Sequence, residues 1–204
     1  SMRNKIFTIF LVLLFSFSMV LFAAGQAESR SDATKTVRVG LTGPDDSPEV
    51  MASVRFGEIL SEVSGGAMVG RVLAGGQAGG ERDIVESQQI GSIEMSVVSG
   101  ILQNFDSAMM ILEYEFLFAN EDHVREVFNG PIGEQIKERL IDKAGIRILG
   151  TYQRSPRLLT TTRKIEALED LRGLKIRVPE MRARVALWEA LGANPTPLAF
   201  PEAF

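Results

Sequence analysis

The sequence predicts an α/β fold with a largely parallel sheet. Three observations carry that reading: short apolar runs rich in β-branched residues, turn residues that close each run, and stretches of helical spacing between them. The first run is Thr36–Leu41, closed by Thr42-Gly43-Pro44. Ser47-Pro48-Glu49 then opens a helix, with Ser47 as N-cap and Pro48 at the first position. Val50, Val54, Ile59, Leu60 and Val63 keep helical spacing, and Gly65-Gly66 ends the helix. Met68–Leu73 reads as a second strand, Gly75–Gly80 as a loop, and Glu81–Ile90 as a helix with acids in its first turn. Ile93–Val98 is a third expected strand, 124–128 and 132–141 are helical, and Ile146–Tyr152 is a further strand.

A second block begins near Arg157. Leu158–Thr162 looks extended, Leu168–Leu171 is a short helix stopped by Gly173, and Leu174–Val178 is a strand stopped by Pro179. Met181–Leu191 is helical up to Gly192, Thr196–Ala199 is extended, and a helix starts at Pro201. An end one turn into a helix suggests truncation, since so short a helix cannot hold itself together.

Composition narrows the function. Of 204 residues, 45% are hydrophobic and 24% charged, which places the chain among globular proteins rather than disordered ones. Residues 1–27 contain two cations, Arg3 and Lys5, and no acid; the remainder holds 20 basic and 26 acidic residues, a net charge of −6. An acidic chain without a basic patch argues against nucleic acid as a partner. The absence of cysteine removes thiol catalysis, disulfides, Cys-ligated metals and lipid attachment through an N-terminal cysteine. The single histidine, His123, cannot build a His-rich metal site, and Asn120-Glu121-Asp122-His123 reads as a helix start. Neither a metal nor a cofactor is expected.

Residues 1–27 read as a signal peptide: a positive start, an apolar run from Ile6 to Ala24, then small residues with cleavage after Gly25 or Ala27. The run is also long enough to span a bilayer, so an uncleaved anchor is the alternative. Either reading exports the rest, to the periplasm, behind a polar, flexible lead-in at 28–35.

Four groups of residues invite chemistry. The Gly75–Gly80 loop lacks Gly-Lys-Ser/Thr, and Glu81 stands where a phosphate would bind, so a tight strand-to-helix turn accounts for it better. Glu113 and Glu115, two apart, would share one face of a strand and could serve acid–base work, although no histidine or thiol accompanies them; solvated or capping roles are favoured. Ser155 and Thr160–Thr162 have no histidine nearby and no nucleophile-elbow motif. Arg157 and Arg163 flank an extended segment, and Arg177 interrupts the apolar run Leu174–Val178. A cation turned inward needs a partner, which is either a protein acid or an anionic ligand.

Three stretches decide between these. Gly173-Leu174-Lys175-Ile176-Arg177-Val178-Pro179 followed by Trp188–Phe200, the loop Gly75–Asp83, and Phe116-Leu117-Phe118 with Asp122-His123 and Asn129-Gly130 resemble the dicarboxylate-binding family of solute-binding proteins from tripartite ATP-independent periplasmic (TRAP) transporters. The resemblance covers residues 37 to 204. It implies a two-lobed periplasmic-binding-protein-like fold, with a first lobe over 36–152 and a second, truncated lobe over 153–204, that closes on a small organic acid and passes it to a membrane permease. Arg177 matches the arginine that grips the ligand carboxylate, Arg157 a second cation beside it, and Phe200 an aromatic lining the pocket. A C4-dicarboxylate, a sugar acid, a sialic-type acid or a keto acid would each fit such a site. Two departures stand out: Glu115 replaces the family's proline before Phe116, and the chain stops before the family's later hinge segments. An exported hydrolase using Glu113 and Glu115, or a ligand-sensing module on the same fold, are the competing functions.

Overall fold

The structure, a computed structural model, describes residues 34–152, 154 and 157–203. The export signal of residues 1–27 therefore lies outside the described residues. Among those described, no helix is long and apolar enough to cross a membrane.

Strand β1 (Lys35–Gly40) is the middle of a three-stranded sheet, between β2 (Met68–Leu73) and β3 (Met95–Ser96). It runs parallel to β3, with Val39 opposite Met95 and Gly40 opposite Ser96. Helix α1 (Pro48–Val63) connects β1 to β2, and α2 (Glu81–Gln89) connects β2 to β3. Two further helices follow, α3 (Glu121–Asn129) and α4 (Pro131–Ala144). A second, parallel pair of strands, β4 (Lys175–Val178) and β5 (Asn194–Pro197), is joined by α5 (Arg182–Ala190). This is the α/β architecture expected.

Glycine sets one contact of that architecture. A Cβ on Gly70 of β2 would stand 2.4 Å from Gly57 Cα, so α1 can lie against β2 only because neither position has a side chain. The main core gathers Val85, Ile101, Leu102, Met109, Ile136, Leu140, Ala144 and Ile146, and Met181, at the foot of α5, is buried in the same cluster. Residues 36–204 cluster as one compact unit, with Met181, just ahead of α5, joining the second block to this main core.

Several expectations need correction. Ile146–Tyr152 forms no strand; Ile146 is buried by packing alone, so its apolar pattern needed no ladder. The third strand shrinks from Ile93–Val98 to two residues, because the chain turns into 3₁₀ segments at Gly100–Asn104 and Ser107–Glu113 that periodicity did not announce. Leu158–Thr162 joins no sheet, and the helix expected at Pro201 is a single 3₁₀ turn over Phe200–Glu202. Ser47 is the N-cap of α1 by position, yet its hydroxyl makes no capping bond and is buried without a hydrogen-bond partner among the described residues. After Glu115, Phe116 adopts a φ of 60° with its ring fully exposed.

Candidate functional site

The ends of the strands bring the site together. The loop after β1 is tied to the loop after β2 by a hydrogen bond from Gly75 N–H to Gly43 O, 2.8 Å. The chain leaving β5 then arrives on the second of these loops. A Cβ on Gly76 would lie 2.7 Å from Pro201 Cγ, and one on Gly80 would lie 2.9 Å from Ala199 Cβ. The Gly75–Gly80 run is therefore a landing surface for residues 199–201, in addition to being the tight turn the sequence suggested. The carboxyl ends of parallel strands are where open α/β folds place ligands.

Arg177 sits at this junction, half-buried on β4 and in register with Thr196 of β5. Its Nε and Nη2 both donate to Leu198 O, at 2.9 and 2.6 Å. The guanidinium lies 5.8 Å from the centre of the Phe200 ring. A main-chain oxygen thus takes one edge of the planar group, and an aromatic ring supports it. Burial pushes Arg177 below its ordinary pKa and the charge of Arg157 pushes the same way, while Glu81 and Glu180 oppose both. The structure therefore brings Arg177, Arg157 and Phe200 into one neighbourhood.

Glu81, the first residue of α2, faces them. Its side chain is half-buried, and its carboxylate accepts from Ser99 Oγ at 3.0 and 3.2 Å. Burial raises its pKa; the Ser99 hydrogen bond and the charges of Arg157 and Arg154 pull it back. Tyr152 joins the same group, its hydroxyl raised by burial and by Glu49, lowered by Arg154 and raised further by Glu81. Sequence reasoning used Glu81 only to exclude phosphate, and Ser99, Arg154 and Tyr152 were not singled out. The available signal was an acid at a helix N-terminus directly after Gly79-Gly80.

The other candidates go elsewhere. Glu113 and Glu115 form no acid–base pair: Arg184 of α5 bonds to both, reaching Glu113 Oε2 through Nε and Nη2 at 2.8 and 2.7 Å. Arg157 Nη2 lies 4.0 Å from the same Glu113 oxygen. Asn120 caps α3, its Oδ1 accepting from the His123 main-chain N–H; His123 Nδ1 accepts from Ala119 N–H, and its ring meets Phe118 edge-on. Thr160–Thr162 are exposed, with Thr161 Oγ1 accepting from Arg163 N–H, and Ser155 lies outside the described residues. Arg163 reaches the carbonyl of Asp170, away from this site. Among the described residues, no group of three or more His, Asp or Glu could hold a metal ion.

A cationic pair set against a half-buried carboxylate suits a ligand with an anionic end and a hydroxyl-bearing end. A solute-binding protein of Roseobacter denitrificans is 37% identical over 169 residues, which are 83% of this chain and 52% of that protein. The crystal structure of a TRAP periplasmic solute-binding protein from the same organism, with bound L-galactonate, matches with a TM-score of 0.80 at 36% identity, over 84% of this chain and 57% of that one. A Bradyrhizobium TRAP periplasmic solute-binding protein in complex with D-galacturonate matches with a TM-score of 0.76 at 34% identity, over 83% and 57% of the two chains. The sugar-acid-binding protein of Advenella mimigardefordensis in complex with galactonate matches with a TM-score of 0.78 at 30% identity, over 83% and 55%. The chain spans about half the length of the curated relatives it matches. The model of the bacterial extracellular solute-binding proteins, family 7, matches residues 39–204, and the chain belongs to that family.

Proposed function

We propose that this chain is part of an exported TRAP-type solute-binding protein that captures a sugar acid, rather than a C4-dicarboxylate, and delivers it to a membrane permease. The signal-like residues 1–27 would direct it to the periplasm. Arg177 takes the ligand carboxylate through the edge of its guanidinium that Leu198 O does not occupy, and Arg157 adds a second positive charge. Phe200 lines the pocket beside them. Glu81, with Ser99, accepts hydrogen bonds from the hydroxyls of the polyol end. Residues 36–152 form the first lobe and residues 153–204 belong to the second, so the site lies where the two sheets meet.

The observation that carries this reading is the orientation of Arg177 by Leu198 O beside Phe200, opposite the half-buried Glu81. A second carboxylate placed against Glu81 would add like charge in a water-poor pocket, whereas a hydroxyl donates to it. The sugar acids held by the related structures point the same way. The function is binding rather than turnover, and Arg184 already occupies the carboxylate pair that a hydrolase would need.

Calorimetric titration of the protein at its full encoded length with galactonate, galacturonate and succinate tests the proposal. Saturable binding of a sugar acid in preference to succinate is the expected result. Binding of succinate alone would overturn the substrate class, and binding of no organic acid would overturn the function.

A further inference from the structure

Glu113 is 8% exposed, and a carboxylate that deep needs a cation. Two arginines point at the same oxygen of it. Arg184, itself 14% exposed at its side chain, reaches Oε2 with two nitrogens at 2.8 and 2.7 Å and donates to Glu115 as well. Arg157, half-exposed, stands 4.0 Å away, beyond hydrogen-bond length. No hydrogen bond ties Arg157 to another described residue in this arrangement. Arg184 alone cannot neutralise both carboxylates, so one unit of negative charge is left for Arg157 to balance from 4.0 Å.

We infer that Glu113 and Arg184 form a positioning pair that keeps Arg157 oriented but uncaptured, with its N–H donors left for the ligand carboxylate. This rests on the reading of Arg157 as a ligand-binding cation. The residual charge on Glu113 attracts the guanidinium, which holds Arg157 near Arg177 despite the repulsion between them. Arg184 fills the Glu113 oxygen with short hydrogen bonds, which stops Arg157 from closing the last ångström. Without Arg184, Glu113 is left buried and unneutralised, Arg157 is the nearest cation able to answer it, and its planar fork is spent inside the protein. Without Glu113 as well, that competition disappears. Glu115 belongs to the same device, since its partner is Arg184.

The test is a double-variant cycle read by galactonate titration of the protein at its full encoded length. Arg184→Met weakens binding by about tenfold, within the coupling expected in one ion-pair network. Glu113→Gln alone weakens binding by about twofold, because Arg157 loses the charge that holds it near Arg177, and adding it to Arg184→Met brings binding back to that level. Should Arg184→Met fail to fold, Arg184→Lys carries the same cycle, since an ammonium cannot bridge both carboxylates with planar geometry; it weakens binding by about fivefold and is brought back to about twofold by Glu113→Gln. In an Arg157→Ala background, already weakened, the Arg184 substitution has no further effect. A wild-type affinity in the Arg184 variants, or a loss that Glu113→Gln does not rescue, overturns the positioning role while leaving Arg157 as a ligand cation. Unchanged binding by Arg157→Ala overturns both.

Discussion

Replacing Arg177 is the sharpest perturbation of the proposed site. Arg177→Ala removes a half-buried cation whose guanidinium is aimed by two hydrogen bonds to Leu198 O. Losing one member of a hydrogen-bonded charge pair costs about 2–5 kcal/mol. Arg157 lies close enough to take part of the carboxylate's charge, which places the loss below the top of that range. A loss of about 3 kcal/mol corresponds to roughly a hundredfold weaker Kd. Arg177→Lys keeps the charge but cannot serve Leu198 O and two carboxylate oxygens at once, so about a tenfold loss is expected. Stability should fall by only about 1 kcal/mol, because Leu198 O loses donors while Arg157 loses a repulsive neighbour. Calorimetric titration with galactonate, after circular dichroism and thermal melts confirm folding, separates the two effects. A folded Arg177→Ala protein with wild-type affinity would refute the assignment, since the carboxylate would then be held by something other than this arginine.

Glu81→Gln should weaken galactonate binding by about 1.5 kcal/mol, roughly tenfold, as a charge-assisted acceptor becomes neutral. Burial raises the pKa of Glu81, so its contribution to stability is present at low pH and lost as pH rises through the folded-state value. The same variant should therefore melt higher than wild type at pH 8; a lower melting temperature there would contradict the burial cost. Glu94 has the opposite sign: hydrogen bonds from Arg38 hold its pKa down to about 2, so its contribution is present above the ordinary carboxylate range and lost as pH falls from about 4.5 toward 2. Glu94→Gln should flatten that acid limb in urea titrations at pH 6 and pH 3, by about 1 kcal/mol once solvent screening at this partly exposed pair is counted. Gly70→Ala should destabilise by about 1–3 kcal/mol in the same assay, because its Cβ would overlap Gly57 Cα and lift α1 from the sheet.

The long elements were legible because their periods were clean. Val50, with Pro48 ahead of it and Gly65-Gly66 behind, leaves α1 little choice of boundary. Lys175–Val178 reads as a strand from Ile176 and Val178, and Gly173 and Pro179 fence it. The misses share a cause. Gly100–Glu113 and Ile146–Tyr152 owe their conformation to tertiary contacts, as the burial of Ile101, Met109 and Ile146 in one cluster shows, and local spacing carries no record of such contacts. Arg177 was visible because a cation inside an apolar strand violates a local rule, whereas Arg157 was reached only through the family resemblance. Glu81 was not, because an acid in the first turn of a helix satisfies one. Arg184 was invisible for a third reason: its partners lie 71 and 69 residues away in the sequence.

The acceptor that aims Arg177 is a main-chain oxygen, and this bears on how such a pocket changes over generations. No single side-chain replacement elsewhere can delete Leu198 O. Pro195 and Pro197 also restrict the backbone torsions just before it, so the direction of the anchor is inherited with the chain trace. The side chains proposed to meet the rest of the ligand, Glu81 and Ser99, carry no comparable protection and can be exchanged one at a time. A lineage built on this frame can therefore trade one acid for another by point substitution while the grip on the carboxylate persists. Insertions or deletions within 195–198 are the changes that would end it.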